Sequence, residues 1–302
     1  MGKIYLLYGP EKYDLNLKVE KIKKEFEKLE LGVNLFYITK ENIEELESCL
    51  QSVTFWGTSK LIIIKDTKLK FPVDLLKEIS DDVVVVILED SVDKRTSDYK
   101  AISKIAQCIE FKQLDSKELI QYIIQVLGKY GIQISYLDAE YFQSLCGENK
   151  ENLVNELKKL VIYLDGDTKV NKEIIEQVCS KTLNAEIFDV LSKIIHKRKK
   201  EGILLLESLL KQKESIIKIY IMLYKQIKQM YMIKYLNNAK VKDISSVIKI
   251  HPYVLKNLSQ ASEHYTLQEL KNILYQFDEY DQKTKLGEMD FEIGLKKLIA
   301  SM

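Results

Sequence analysis

Hydrophobic positions change their spacing along the chain. In the first third, short apolar runs alternate with stretches of helical period. Lys3–Tyr8 (KIYLLY) is an apolar run closed by Gly9-Pro10. Leu15, Val19, Ile22, Phe26 and Leu29 follow at spacings of 4, 3, 4 and 3, one face of a helix. Val33–Ile38 predicts the next strand and Glu41–Leu50 an amphipathic helix. Lys60–Lys65 (KLIIIK) and Val83–Leu88 (VVVVIL) are β-branched runs typical of strands covered on both faces. A helix near Ser97–Ala106 leads to a last strand at Cys108–Phe111. Alternation of this kind predicts a parallel sheet flanked by helices.

The period switches at Asp115. Asp115-Ser-Lys-Glu118 has the spacing of a capping box, in which each acidic side chain holds the other's backbone amide. Helices are predicted at 116–129, 136–146, 150–164 and 172–180, a small helical domain. A third block begins near Ala185, with helices at about 186–197, 200–212, 215–237, 241–248, 252–262, 266–285 and 290–300. The 215–237 segment is apolar on nearly every side (Ile216, Ile219, Tyr220, Leu223, Ile227, Met230, Tyr231), so other helices or another chain must surround it. The predicted organisation is an α/β domain over 1–114, a helical domain over 115–184 and a helical bundle over 185–302.

Composition adds little to that picture except through charge. Residues 1–184 carry 26 Lys+Arg against 31 Asp+Glu, and residues 185–302 carry 20 against 14, beneath a net charge of +1. The two parts therefore suit different partners, and neither is basic enough to announce strong nucleic-acid binding by itself. Only Arg95 and Arg198 are arginines, which leaves few bidentate phosphate ligands. Cys49, Cys108, Cys146 and Cys179 form no CxxC pair, and His196, His251 and His264 lack ligand spacing. Reduced thiols, no metal and no cofactor are expected. The opening MGKIYLLYGP lacks the long apolar run of a signal peptide, and lysines break the 216–236 stretch, so neither export nor a membrane span is expected.

An α/β domain followed by helices invites a test for nucleotide chemistry. A phosphate loop needs glycines, a lysine and a Ser/Thr in the pattern GxxxxGK[ST]. After the first strand stand Tyr8-Gly9-Pro10-Glu11-Lys12-Tyr13-Asp14, with one glycine and two acids. Pro10 removes an amide, and Glu11 and Asp14 place negative charge where phosphate would bind. Val83–Asp90 (VVVVILED) has the look of a magnesium-binding strand but lacks that loop, and reads better as a core strand ending in a solvated turn. Arg95 fits a surface or helix-start role. No nucleophile–base arrangement can be assembled from the three histidines.

Val53-Thr54-Phe55-Trp56-Gly57 asks for a partner instead. Phe55 and the only tryptophan, Trp56, are adjacent on a short connection. Adjacent side chains point in different directions, so one core can hardly bury both, and Gly57 permits a sharp turn. His196-Lys197-Arg198-Lys199-Lys200 is the densest cationic run, a solvated helix end or a contact for phosphates.

Six segments together resemble one family. They are Tyr5–Glu11 (YLLYGPE), Phe55–Ile63 (FWGTSKLII), Asn152–Leu160 (NLVNELKKL), Phe188-Asp189, Ile250–Tyr253 (IHPY) and Asp281–Gly287 (DQKTKLG). In this order, they resemble the delta subunits of bacterial DNA polymerase III clamp loaders. The resemblance implies an AAA+-like fold without ATPase activity: a RecA-like clamp-binding domain, a lid and an oligomerising collar. It implies a non-catalytic component of a DNA-directed DNA polymerase holoenzyme, in the cytoplasm. The implied partners are the sliding clamp (beta subunit), gamma/tau and delta-prime subunits in a hetero-pentamer, and primed DNA through the complex. Carried over by position, the clamp-binding element is Phe55 and Trp56 flanked by Val53 and Thr54. The nucleotide loop, degenerate and without ATP, is Gly9, Pro10 and Glu11. Lys197, Arg198, Lys199 and Lys200 are candidate DNA-backbone contacts. The alternatives are an AAA+-type NTPase subunit or regulator, a delta-prime-like stator, or a plain nucleic-acid-binding module.

Overall fold

A computed structural model describes residues 3–27, 34–52, 59–196, 198–250 and 252–302. The chain divides into two units, 1–114 and 115–302. Leu29, Val33, Val53, Thr54, Phe55, Trp56, Gly57, Lys197 and His251 lie outside the described residues.

The first unit is a five-stranded parallel sheet. Its strands are β1 (Lys3–Tyr8), β2 (Asn34–Ile38), β3 (Lys60–Lys65), β4 (Val83–Glu89) and β5 (Gln107–Glu110). Their spatial order is β2-β3-β4-β1-β5, every pair parallel. Because successive side chains point to opposite faces, the apolar runs feed two cores. Leu7, Leu61, Ile63, Val84, Val86 and Leu88 pack with Leu15, Val19 and Ile22 of α1 (Lys12–Glu27). Leu6, Ile62, Ile64, Val85 and Ile87 pack on the other face with Leu46, Leu76 and Ile102. Those three come from α2 (Glu45–Gln51), a 3-10 turn (Val73–Leu76) and α3 (Ser97–Ile102). This is the parallel sheet flanked by helices that the pattern predicts.

The second unit is helical apart from a two-residue parallel pairing of β6 (Gln133–Ile134) with β7 (Lys169–Val170). The helices α4 (Ser116–Gly128), α5 (Tyr136–Cys146), α6 (Lys150–Leu164) and α7 (Lys172–Val178) come first. The predicted capping box opens α4: Glu118 N donates to Asp115 Oδ1 at 2.8 Å, and Asp115 N donates to Glu118 Oε2 at 2.8 Å. Then come α8 (Leu183–Ile195), α9 (Lys199–Lys211), α10 (Ile216–Asn238), α11 (Ile244–Ile248), α12 (Pro252–Glu263), α13 (Leu267–Lys285) and α14 (Phe291–Ser301). Helix α10 is the central rod: Ile219, Leu223, Ile227, Met230 and Ile233 are enclosed by residues of α8, α12, α13 and α14. Its apolar surface is not fully covered, since Ile217, Ile221 and Tyr235 remain exposed. Among the described residues no helix is long and apolar enough to cross a membrane.

Candidate functional site

The turn after β1 is closed by its own backbone. Gly9 has φ +132°, and a Cβ there would stand 2.1 Å from the Phe111 carbonyl oxygen. Gly9 N donates to Glu89 O at 3.2 Å, and Glu11 N donates to Phe111 O at 3.2 Å. Tyr13 N donates to Glu11 Oε1 at 3.1 Å, and Glu11 itself is buried. The Gly9 and Glu11 amides are thus committed to carbonyls, the Tyr13 amide is held by a carboxylate of the chain, and Pro10 has no amide hydrogen to offer. Glu11 occupies the position at the start of α1 that favours an anion. Lys12 pairs with Asp90.

The acids at the end of β4 are divided in their roles. Asp90 is exposed, as a strand running into a solvated turn predicts. Glu89 departs from that expectation: it is only 4 % exposed. Its Oε1 accepts from Thr67 N at 3.1 Å, Thr67 Oγ1 at 2.9 Å and Leu69 N at 3.2 Å. It thereby holds a loop in which Asp66, Lys68 and Leu69 all have positive φ. Such a backbone needs an anchor, and the buried carboxylate supplies it. Arg95 is exposed and forks onto Asp93, with Nε–Oδ1 at 2.9 Å and Nη2–Oδ2 at 2.8 Å, two residues before α3.

The connection bearing the aromatic pair joins α2 to β3. Its two described flanks are tied together by Lys60, a residue that apolar periodicity passed over. Lys60 is 1 % exposed. Its ammonium donates to Cys49 O at 2.8 Å, Leu50 O at 3.3 Å, Ser52 Oγ at 3.0 Å and also to Ser52 O. Cys49 and Leu50 lie in the last turn of α2, whose carbonyls have no partners within the helix. Burial pushes the Lys60 ammonium below its ordinary value, and the Asp82 carboxylate offsets part of that. The available sequence signal was a lysine opening the apolar run Leu61–Ile64.

In the second unit, the cationic run meets α9. Lys199 is committed to Ala300 O at 2.7 Å, and Arg198 lies 4.0 Å from Glu201. Lys200 is exposed. Glu156 and Lys159, in the family-like helix segment, pair at 2.5 Å, while Glu156 Oε2 also accepts from Ser180 N at 2.9 Å. The ligand atoms of Cys146, Glu156 and Cys179 lie within 4.8 Å of one another. Contact with the Cys179 thiol and burial push the Cys146 thiol up, which opposes the thiolate a metal would need. With Glu156 already bonded to Ser180 and Lys159, this cluster ties the ends of α5 and α7 to α6. A cavity of about 230 Å³ is lined by Tyr141, Lys172, Glu176, Lys181, Asp189 and Gln226, among others. Its charges are mutually satisfied: Lys181–Asp189 is 2.7 Å, and Tyr141 OH donates to Glu176 at 2.6 Å.

Residues 184–302 match the family model described as DNA polymerase III delta subunit, C-terminal domain. The DNA polymerase III subunit delta of Bacillus subtilis (strain 168) is 23% identical over 320 residues, covering 99% of this chain and 92% of its own length. The solved structure of the Bacillus subtilis DNA clamp loader delta protein (YqeN) superposes with a TM-score of 0.66 at 22% identity. That superposition covers 100% of this chain and 95% of that one. The resemblance carried by the six segments is borne out along the whole chain, and the fold class with it.

Proposed function

We propose that this chain, by sequence and by fold a relative of DNA polymerase III delta subunits, binds the sliding clamp and opens it for loading onto primed DNA. The observation that carries the reading is the end-to-end similarity to a subunit of that name. The closed turn at Gly9-Pro10-Glu11 and the structural use of Glu89 support a part without ATP hydrolysis of its own. They also weigh against the NTPase alternative. The chain then acts as a cytoplasmic, non-catalytic component of the polymerase holoenzyme, in a hetero-pentamer with gamma/tau and delta-prime subunits.

Phe55 and Trp56, flanked by Val53 and Thr54, are the proposed grip. Two such aromatics bury roughly 150–250 Å² each in a pocket. At about 25 cal/mol per Å², the gross gain is on the order of 8–12 kcal/mol before association costs, ample for a transient anchor. Binding shifts the clamp toward an open state only by the difference in affinity for the two states, so the pocket must fit the aromatics better in the open ring. Residues 115–184 are proposed as the lid and 185–302 as the collar; the family model begins at the boundary between them. Arg198 and Lys200, with Lys197, are the proposed phosphate-backbone contacts, and Lys199 joins them only by releasing Ala300.

The test is capture of purified sliding clamp by the wild-type chain and by Phe55→Ala/Trp56→Ala. The double variant keeps its circular dichroism spectrum and loses at least a hundredfold in affinity. Undiminished capture removes the proposed grip.

A further inference from the structure

Two histidines that are far apart in the sequence meet in the helical unit. His196 directly follows α8, and His264 directly follows α12. Their ring centres lie 5.6 Å apart, with the planes inclined at 58°. Both rings line a cavity of about 260 Å³ together with Ser192, Asn257 and Gln260. No ligand spacing announced the pair, because its members come from the ends of different helices.

The tautomer of His196 is fixed. Its Nδ1 lies 2.8 Å from the Ser192 carbonyl oxygen. That oxygen can only accept, so Nδ1 carries the proton and the neutral ring keeps its lone pair on Nε2. A backbone carbonyl in this position is the kind of partner that orients metal-ligating imidazoles. The separation also fits. Two imidazoles sharing one tetrahedral ion through bonds of about 2.0–2.1 Å place their ring centres about 5 Å apart. A small rotation of one side chain covers the difference.

The local field favours a cation, since both histidines stand at helix C-termini. Two described cations near His196 in the sequence are directed to an acid of α9: Lys193 pairs with Glu201 at 2.8 Å, and Arg198 lies 4.0 Å from it. Both histidines are exposed, so water can complete the coordination and the ion can exchange. Imidazole nitrogen selects a transition ion such as zinc over magnesium or calcium, which take oxygen ligands.

We propose that His196 and His264 form an exchangeable site for a divalent transition ion of the zinc class, which on binding ties the C-terminal end of α8 to that of α12. The proposal is independent of the clamp-binding reading, because no residue of the grip takes part.

The test uses the full chain, treated with chelator and then titrated with Zn2+ alone by calorimetry. One ion binds per chain, and His196→Ala and His264→Ala each weaken its binding at least tenfold. Both positions are exposed, so both variants fold. At zinc roughly ten times its dissociation constant, mass action raises the wild-type melting temperature by about 3–6 °C, a rise that both variants lose. Substitution with Co2+ gives the weak visible bands of nitrogen and oxygen ligands. A thiolate charge-transfer band would place the ion on Cys146 and Cys179 instead and overturn the assignment. So would the absence of zinc binding in the wild type, or wild-type zinc affinity in either histidine variant.

Discussion

Glu89 and Gly9 share the end of the sheet where P-loop enzymes of this plan hold phosphate and magnesium. Here each serves the chain itself. Gly9 donates to the Glu89 carbonyl, and the Glu89 carboxylate bonds Thr67 and Leu69. In an NTPase, Glu89→Gln would slow hydrolysis and trap nucleotide while leaving stability almost untouched. In this chain the same substitution weakens three buried hydrogen bonds to a charged acceptor, and urea denaturation is expected to show a loss of about 1–3 kcal/mol. An unchanged unfolding midpoint would contradict the anchoring role. Gly9→Ala tests the other half of the turn. Its methyl would overlap the Phe111 carbonyl at a backbone angle that L-residues avoid. The expected loss is about 3 kcal/mol or more, since β1 or β5 must shift to relieve it. The same denaturation experiment reads both.

At the scale of elements, burial decided what periodicity could reveal. The strands KLIIIK and VVVVIL are buried on both faces, and their runs mark β3 over its full span and β4 to within one residue. Helices with one apolar face were also placed well, with α5 and α6 at their predicted bounds. The misses lie where polar groups set the ends. Helix α1 begins at Lys12, ahead of its first apolar position, because Glu11 caps the first turn. Helix α2 begins only at Glu45, because the Asn42 side chain holds Thr39 and the Tyr37 carbonyl in a turn. The β6–β7 pairing and the 3-10 turn are too short to show any period. Of the candidate site, the closed nucleotide turn was legible, because Pro10 and Glu11 are chemically wrong for phosphate wherever they point. Lys60 was not. Its partners are mostly backbone oxygens, which leave no mark in the sequence, and a charged residue by default reads as solvated.

For the whole molecule, the proposed collar role makes a demand on the surface of the second unit. Scattered exposed apolar residues need no explanation, but contiguous ones mark interfaces. Ile217 and Ile221 stand one helical turn apart on α10, 55 % and 57 % exposed. With Tyr220, Tyr224 and Phe291 they line a groove of about 560 Å³ whose other wall carries Asp278 and Asp281. Asp281 is already paired with Lys285 of the same wall at 2.5 Å, so it is the apolar face of a helix of a neighbouring clamp-loader subunit that suits that lining. Ile217→Lys/Ile221→Lys changes only exposed positions, so the stability cost is about 0.5 kcal/mol or less. Co-purification with the ATP-binding subunits is expected to fail, while capture of the free sliding clamp persists. The aromatic double variant should show the reverse pattern. Two variants that each lose one partner and keep the other would separate grip from collar. Loss of both partners in either variant would mean that the proposed division of labour is wrong.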